Sequence, residues 1–385
     1  MGSITPYVTK SGRRYRARYR DPDRKQCERK GFATKRDAEA FLASIEVAKG
    51  RGEYLDPRAA KATVGELGPI WLANQSHLKP SSLRPLEIAW RRHVEPVWGS
   101  RRVGEIRHSD VQSWVTRFAA GDGKPRSATT VVRAHGVLAG ILEVAVRDRR
   151  VLANPARDVK LPRKVRREHR YLTHEQVHAL AAASGERGAL VLLLAYTGLR
   201  WGEAIALRTR DLNLLARRIN VATNAVEVGS AIEIGTPKNH KRRSVPIPRL
   251  LLADLAQQCV GKGPDDLVFA DRSGQHLRRT RVSDGSRSWL KTALREVGIE
   301  GMTLHDLRHT AASLAVSAGS NVKAVQRMLG HASAAMTLDV YADLFDDDLN
   351  AVADRLDEAY SRTVVGEKWA VGRLEAEEPR QIAVF

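Results

Sequence analysis

Thr303 to Leu344 reads TLHDLRHTAASLAVSAGSNVKAVQRMLGHASAAMTLDVYADL, and the rest of the chain is read outward from it. Its apolar positions follow helical spacing, which predicts helices over Leu304 to Ala318 and Asn321 to Leu329. On the first of these, His305 and Arg308 lie three apart and share a face, so both can point at one phosphate. With 12 histidines and 64 basic residues in 385, a His followed three later by Lys or Arg arises roughly two times by chance, so the pair alone is weak. His305 and His309 are also spaced like two ligands of a zinc helix. Asp stands where Glu would be expected after the first His, and no third ligand is evident. No metal is expected, and His309 reads as a helix histidine that packs or hydrogen-bonds locally.

Upstream, the region from Leu172 to about Tyr360 opens with a capping box, Thr173 to Gln176, and a helix apolar on all sides, Gly188 to Tyr196. β-Branched alternation at Ile219 to Thr223, Val226 to Ile234 and Ser244 to Ile247 predicts one small antiparallel sheet. Helices are expected over Val282 to Val297 and Asp347 to Tyr360, the last with Leu349, Val352 and Leu356 on one face. Besides His305 and Arg308, four residues here are of catalytic type: Arg200 in TGLRWGEA, Lys238 in GTPKNHKRRSVPIP, His331 in LGHAS and Tyr341 in TLDVYADL. Lys241 competes with Lys238. Glu203, three residues after Arg200, can hold its guanidinium in place if the segment is helical.

The first 57 residues carry 14 Lys+Arg and 8 acids. Arg14 to Arg20 (RYRARYR) alternates with period two, so a strand there puts Arg14, Arg16, Arg18 and Arg20 on one face and Tyr15, Ala17 and Tyr19 on the other. One face suits nucleic-acid phosphate and the other packs. Gln26 to Phe32 can supply a further strand, and Thr34 caps a helix to about Arg51 with Ala38, Phe41, Leu42 and Ile45 at helical spacing. A hinge at Asp56 to Ala62 leads to four helices, about 63–75, 81–96, 109–119 and 127–149, with helix starts at Thr63, Pro80, Ser109 and Ser127 and an end before Asn154-Pro155. Residues 156–170 (ARDVKLPRKVRREHR) hold seven basic and two acidic residues without an apolar period, a linker by composition. Within it Arg163, Lys164, Arg166 and Arg167 can lie along a DNA backbone.

The whole chain has 64 Lys+Arg against 44 Asp+Glu, a net +20 that repels itself unless a polyanion neutralises it. At 43% hydrophobic it can build ordinary cores, its apolar runs such as Ala189 to Tyr196 are short of a membrane span, and its N-terminus lacks an apolar signal core. Two cysteines, Cys27 and Cys259, support neither a disulfide framework nor a zinc cage, which points to a reducing cytoplasm. There is no internal repeat or glycine-rich phosphate loop. The expected architecture is α+β and multidomain.

The ordered set Arg200, Lys238, His305-x-x-Arg308, His331 and Tyr341, set in TGLRWGEAIALR, RRSVPIP, LHDLRHTAAS and LGHASAAMTLDVYA, resembles that of the tyrosine recombinases of the phage integrase type. The resemblance extends over nearly the whole chain. It implies an arm-type DNA-binding domain at 1–57, made of a small three-stranded sheet and one helix, and a four-helix core-binding domain at 63–155. A basic linker at 156–170, a mainly helical catalytic domain with a small antiparallel sheet at 171–360 and a largely unstructured tail at 361–385 complete the layout. It also implies double-stranded DNA attachment sites of core and arm types as partners, a homotetramer on DNA with the C-terminal helix docked on a neighbour, a DNA-bending host factor and an excision factor, and no cofactor.

In this scheme Arg200 and Arg308 stabilise charge on the scissile phosphate, Tyr341 attacks it, and His305 accepts the phenol proton. Lys238 protonates the departing 5′ hydroxyl and His331 donates a hydrogen bond to a phosphate oxygen. Two competitors share the scaffold, a catalytically silent DNA-binding regulator and a relaxing topoisomerase. The complete residue set argues against the first and the separate arm-like domain against the second.

Overall fold

The computed structural model describes residues 2–22, 24–52, 54–55, 58–164, 169–237, 242–280, 282, 286–331, 356–357 and 360–361. The chain forms two compact units, residues 1–167 and 168–385.

The first unit begins with an antiparallel sheet of β1 (Ser3–Thr9), β2 (Gly12–Arg20) and β3 (Gln26–Phe32), in that order. The strict alternation of β2 buries Ala17 and Tyr19 and leaves the arginines on the opposite face. Helix α1 (Lys35–Gly50) starts at a capping box between Thr34 and Asp37 and lays Phe41, Leu42 and Ile45 against Tyr19, Cys27 and Tyr54. The period-two and period-3.6 patterns thus meet in one small core.

Four helical stretches follow. They are α2 (Val64–Ala73); α3 (Pro80–Ala89), continued through a π turn at Trp90–Val94 into α4 (Glu95–Trp98); α5 (His108–Ala120); and α6 (Ala128–Arg147). The Thr63–Glu66 capping box starts α2, and Ser127 caps α6. Ser109 is not a cap: Arg107 takes that place, because Asp110 sits where it can return to the Arg107 N–H, at 3.1 Å. By length and composition α6 could cross a bilayer, which the short apolar runs did not suggest. Seven of its residues, Val131 to Ala145 at helical spacing, are instead buried against Val64, Leu67, Trp90, Val111 and Trp114.

Part of the expected linker belongs to this core. Ala156 and Val159 are buried in it, and Gln112 clamps Lys160 by accepting its N–H (2.8 Å) and donating to its carbonyl (3.2 Å). The high charge of 156–170 masked this, since two apolar residues suffice to anchor the strand. Arg163 and Lys164 are exposed, while Arg166 and Arg167 lie outside the described residues.

The second unit contains α7 (His174–Ala183), the buried α8 (Gly188–Thr197), a short α9 (Trp201–Ala204), strands β4 (Leu212–Asn213), β5 (Arg218–Val221), β6 (Asn224–Val228), β7 (Ala231–Gly235) and β8 (Arg243–Pro246), then α10 (Leu252–Cys259), α11 (Trp289–Glu296), α12 (Leu304–Ser317) and α13 (Val322–Leu329). The strands form two antiparallel sheets, β4–β5–β8 and the hairpin β6–β7, where one was expected. Alternation marks a strand but not its partner. Helix α11 begins at its Ser288 cap, later than the expected Val282. The C-terminal helix and tail fall almost wholly outside the described residues.

Candidate active site

The second unit builds its site around the C-terminal end of α13. The last carbonyls of a helix have no partner within it and carry the negative end of its dipole, so they attract cations. Here three successive carbonyls each accept from a different arginine: Met328 from Arg243 Nε (3.0 Å), Leu329 from Arg308 Nη2 (2.6 Å) and Gly330 from Arg200 Nη2 (3.4 Å). Gly330 ends the helix in the left-handed region, φ 67°, and His331 follows, its N–H donating to the Gln326 carbonyl at 3.1 Å.

Arg200 comes from the other side, just after α8 ends on Gly198. The Gly198 φ is 62°, where a side chain strains the backbone, and a Cβ there would come within 2.4 Å of Leu329 Cδ2, so glycine favours this approach. Arg200 is the N-cap of α9, and Glu203 at its third position binds both the Arg200 N–H (2.9 Å) and Nη1 (2.9 Å). Glu203 has no exposed side-chain area, and Arg243, from the start of β8, grips it with two nitrogens at 2.9 and 2.6 Å. Burial alone would raise the Glu203 carboxyl, but the Arg243 hydrogen bonds and charge, then Arg200, bring it down to about 2. It is ionised at any physiological pH.

Arg308 sits one turn into α12, after a capping box between Thr303 and Asp306. It does not present itself to solvent beside His305, as the shared face suggested. The residue is 3% exposed and its remaining terminal nitrogen binds the Gly198 carbonyl, while His305 is open. His305 lines a cleft of about 290 Å³ with Arg200, Trp201, Asn224 and Arg279; His331 lines another of about 690 Å³. Arg200 borders both. Burial and then the Arg308, Arg200 and Arg243 charges hold His331 down to about 4, so at neutral pH it supplies a hydrogen bond, not a charge. His305 is lowered too, by partial burial on its inner side and then by Arg308.

His309 departs from the zinc-helix pairing with His305. Their rings meet edge to face at 5.0 Å, whereas His309 stacks on His169 at 3.9 Å and 30°. Asp306 joins them through Oδ1 to His169 Nδ1 at 3.3 Å, and the three residues bring ligand-type atoms within 4.8 Å of one another. Near-parallel stacked rings keep their in-plane lone pairs on separate lines, and Asp306 spends Oδ2 on Thr303, so the trio is poorly shaped to share an ion. It anchors the end of the linker to α12.

The structure therefore brings together Arg200, Glu203, His305, Arg308 and His331. Lys238, its rival Lys241 and Tyr341 lie outside the described residues. Arg243 and Gln326 went unnoticed in the sequence; the only signal was the arginine pair before SVPIP, which gave no hint of a partner forty residues upstream. In the first unit, Arg14, Arg16, Arg18 and Arg20 share a sheet face as expected, but Arg16 Nε donates to Thr5 (2.7 Å) and Arg18 pairs with Glu28 (3.3 Å).

This mainly helical unit, with small antiparallel sheets and arginines gathered on one helix end, has the fold of a tyrosine recombinase. Residues 170–347 match the phage integrase family. The integrase of Mycobacterium phage FRAT1 is 30% identical over 319 residues, covering 78% of this chain and 92% of that protein. The chain belongs to the phage integrase family. Among solved structures, the Tn1549 transposon integrase in complex with transposon right end DNA superposes with a TM-score of 0.63 at 22% identity, over 77% of this chain and all of the other. A lambda integrase tetramer bound to a Holliday junction gives 0.55 at 18%, over 85% and 95%.

Proposed function

We propose that the chain binds double-stranded DNA attachment sites and cuts and rejoins them through a 3′-phosphotyrosine on Tyr341, integrating and excising a phage or mobile element. The observation that carries this is the convergence of Arg200, Arg308 and His331 on one helix end, since the three come from separate segments and match the family order. Arg200 and Arg308 act as fixed charges that stabilise the developing phosphorane oxygens, and His331 adds a hydrogen bond. His305, held neutral by its surroundings, accepts the Tyr341 proton. Lys238, or Lys241, protonates the leaving 5′ hydroxyl. The energy of the broken ester is kept in the phosphotyrosine, so religation needs no ATP.

In this reading residues 1–57 bind arm sites, 63–155 the core site, 156–170 track the backbone, 171–360 carry the chemistry, and 361–385 form a tail. Work in the bacterial cytoplasm as a homotetramer on DNA, aided by a bending factor and an excision factor, follows from the family reading. The test is Tyr341→Phe on a nicked suicide substrate. Binding should persist and the covalent adduct vanish; an adduct from the variant removes Tyr341 as nucleophile.

A further inference from the structure

The larger cleft extends past Arg200 and His331 over a wall of further cations. Arg242 precedes β8, and Lys323 and Arg327 project from one face of α13, four residues apart, while Val325, Gln326 and Leu329 bury the other. Arg242, Lys323 and Arg327 are exposed and form no ion pair among the described residues. No carboxylate lines the cleft among those residues. Nearby carboxylate charge is already committed, since Glu203 is shared by Arg200 and Arg243.

Such a grouping is unfavourable in the free protein. Like charges four apart on a helix repel. Arg327, in the last turn, gains from the helix dipole, but Lys323 lies in the first turn, where the dipole opposes it. Cations held in this way suit a polyanion that passes through the cleft. Because Arg200 and His331 line the same cleft, the polyanion most directly at hand is the strand whose scissile phosphate they face.

We propose that this cleft is a second phosphate subsite, in which Arg242, Lys323 and Arg327 hold the phosphates next to the scissile one on the cleaved strand. The proposal rests on the strand-cleavage reading above and adds to it where the strand runs once it leaves Arg200. These three exposed cations beyond the reacting centre fix the neighbouring ester and thereby orient the scissile phosphate for in-line attack, so they act in positioning and affinity.

The test uses the full chain and the K323Q/R327Q variant, in which both residues are exposed and keep long polar side chains. The probe is a labelled duplex spanning the element's insertion junction, either unmodified or with a neutral methylphosphonate at each phosphate flanking the mapped cleavage position. Expected is a log–log salt slope of binding shallower by about two in the variant. One flanking methylphosphonate should weaken wild-type binding yet leave the variant's unchanged. Equal slopes with additive losses overturn the proposal. So does an unchanged slope with altered assembly on DNA, which would assign the cleft to an acidic stretch of a second copy, such as Asp346 to Asp348. Failure of the underlying reading shows separately, as absence of any wild-type covalent adduct or its survival in Tyr341→Phe.

Discussion

The Arg243 guanidinium holds the Glu203 carboxylate with two nitrogens, at 2.9 and 2.6 Å, and Glu203 in turn holds Arg200. Two arginines thus share one buried acid, and only Arg200 borders both clefts. Arg243 contributes through the position it gives its neighbour.

Arg243→Met should therefore leave Glu203 buried with one partner too few and cost about 3–5 kcal/mol of stability, the range for breaking a buried pair. Adding Glu203→Leu removes the uncompensated charge and should restore most of that stability. Single-turnover cleavage should stay depressed in the double variant, because Arg200 has lost its support. Denaturant titration together with cleavage checks both halves; recovery of cleavage along with stability would show that Arg200 needs no such holder.

Acid should weaken the fold in two steps. His309 and His331 both sit at about 4, below the 6.5 of a free imidazole, so between pH 6.5 and 4 the unfolded chain binds protons that the folded chain does not. Their stabilisation is complete above about 6.5 and is lost as the pH falls through that window. Glu203, at about 2 against 4.5, adds a loss below pH 4.5. Urea unfolding measured from pH 7.5 to 4.5 should show falling stability, with His309→Asn reducing the slope by about one proton. Stability that is level or rising toward pH 4.5 would contradict these shifts.

Cleavage should proceed in excess EDTA. Arg200 and Arg308 are guanidiniums held in place by backbone carbonyls, so they can supply the electrostatic stabilisation that a metal gives elsewhere. Single-turnover cleavage lost on chelation and restored by a divalent ion would refute this.

Within the β2 arginine face, Arg14 and Arg20 should contribute more to arm-site binding than Arg18, which already spends its charge on Glu28. The double change Arg14→Ala and Arg20→Ala in the full chain should lower the salt slope on arm DNA by about two, and Arg18→Ala by less. Binding and cleavage of an isolated core site should be unaffected. Equal loss on core and arm DNA would remove the arm assignment.

What could be read from sequence was local. The Arg200–Glu203 spacing, the capping boxes at Thr63 and Thr173 and the alternation of β2 each lie within a few residues, and each appears in the structure. What could not be read depends on chain closure. Arg243 meets Glu203 across forty residues, and His169 meets Asp306 across 137. Burial also overrode a pattern: Arg308 shares a helix face with His305 but is drawn inward by the carbonyls of Gly198 and Leu329.

The three arginines docked on Met328, Leu329 and Gly330 make the length of α13 as consequential as its composition. Each residue advances a helix by about 100°. A single deletion between Val322 and Leu329 would keep Arg200, Arg243, Arg308 and His331 in the sequence, yet turn the accepting carbonyls away from guanidiniums anchored on other segments. Substitutions on the outer face of α13 should be tolerated by the fold, whereas changes in its length should disperse the whole cationic group at once.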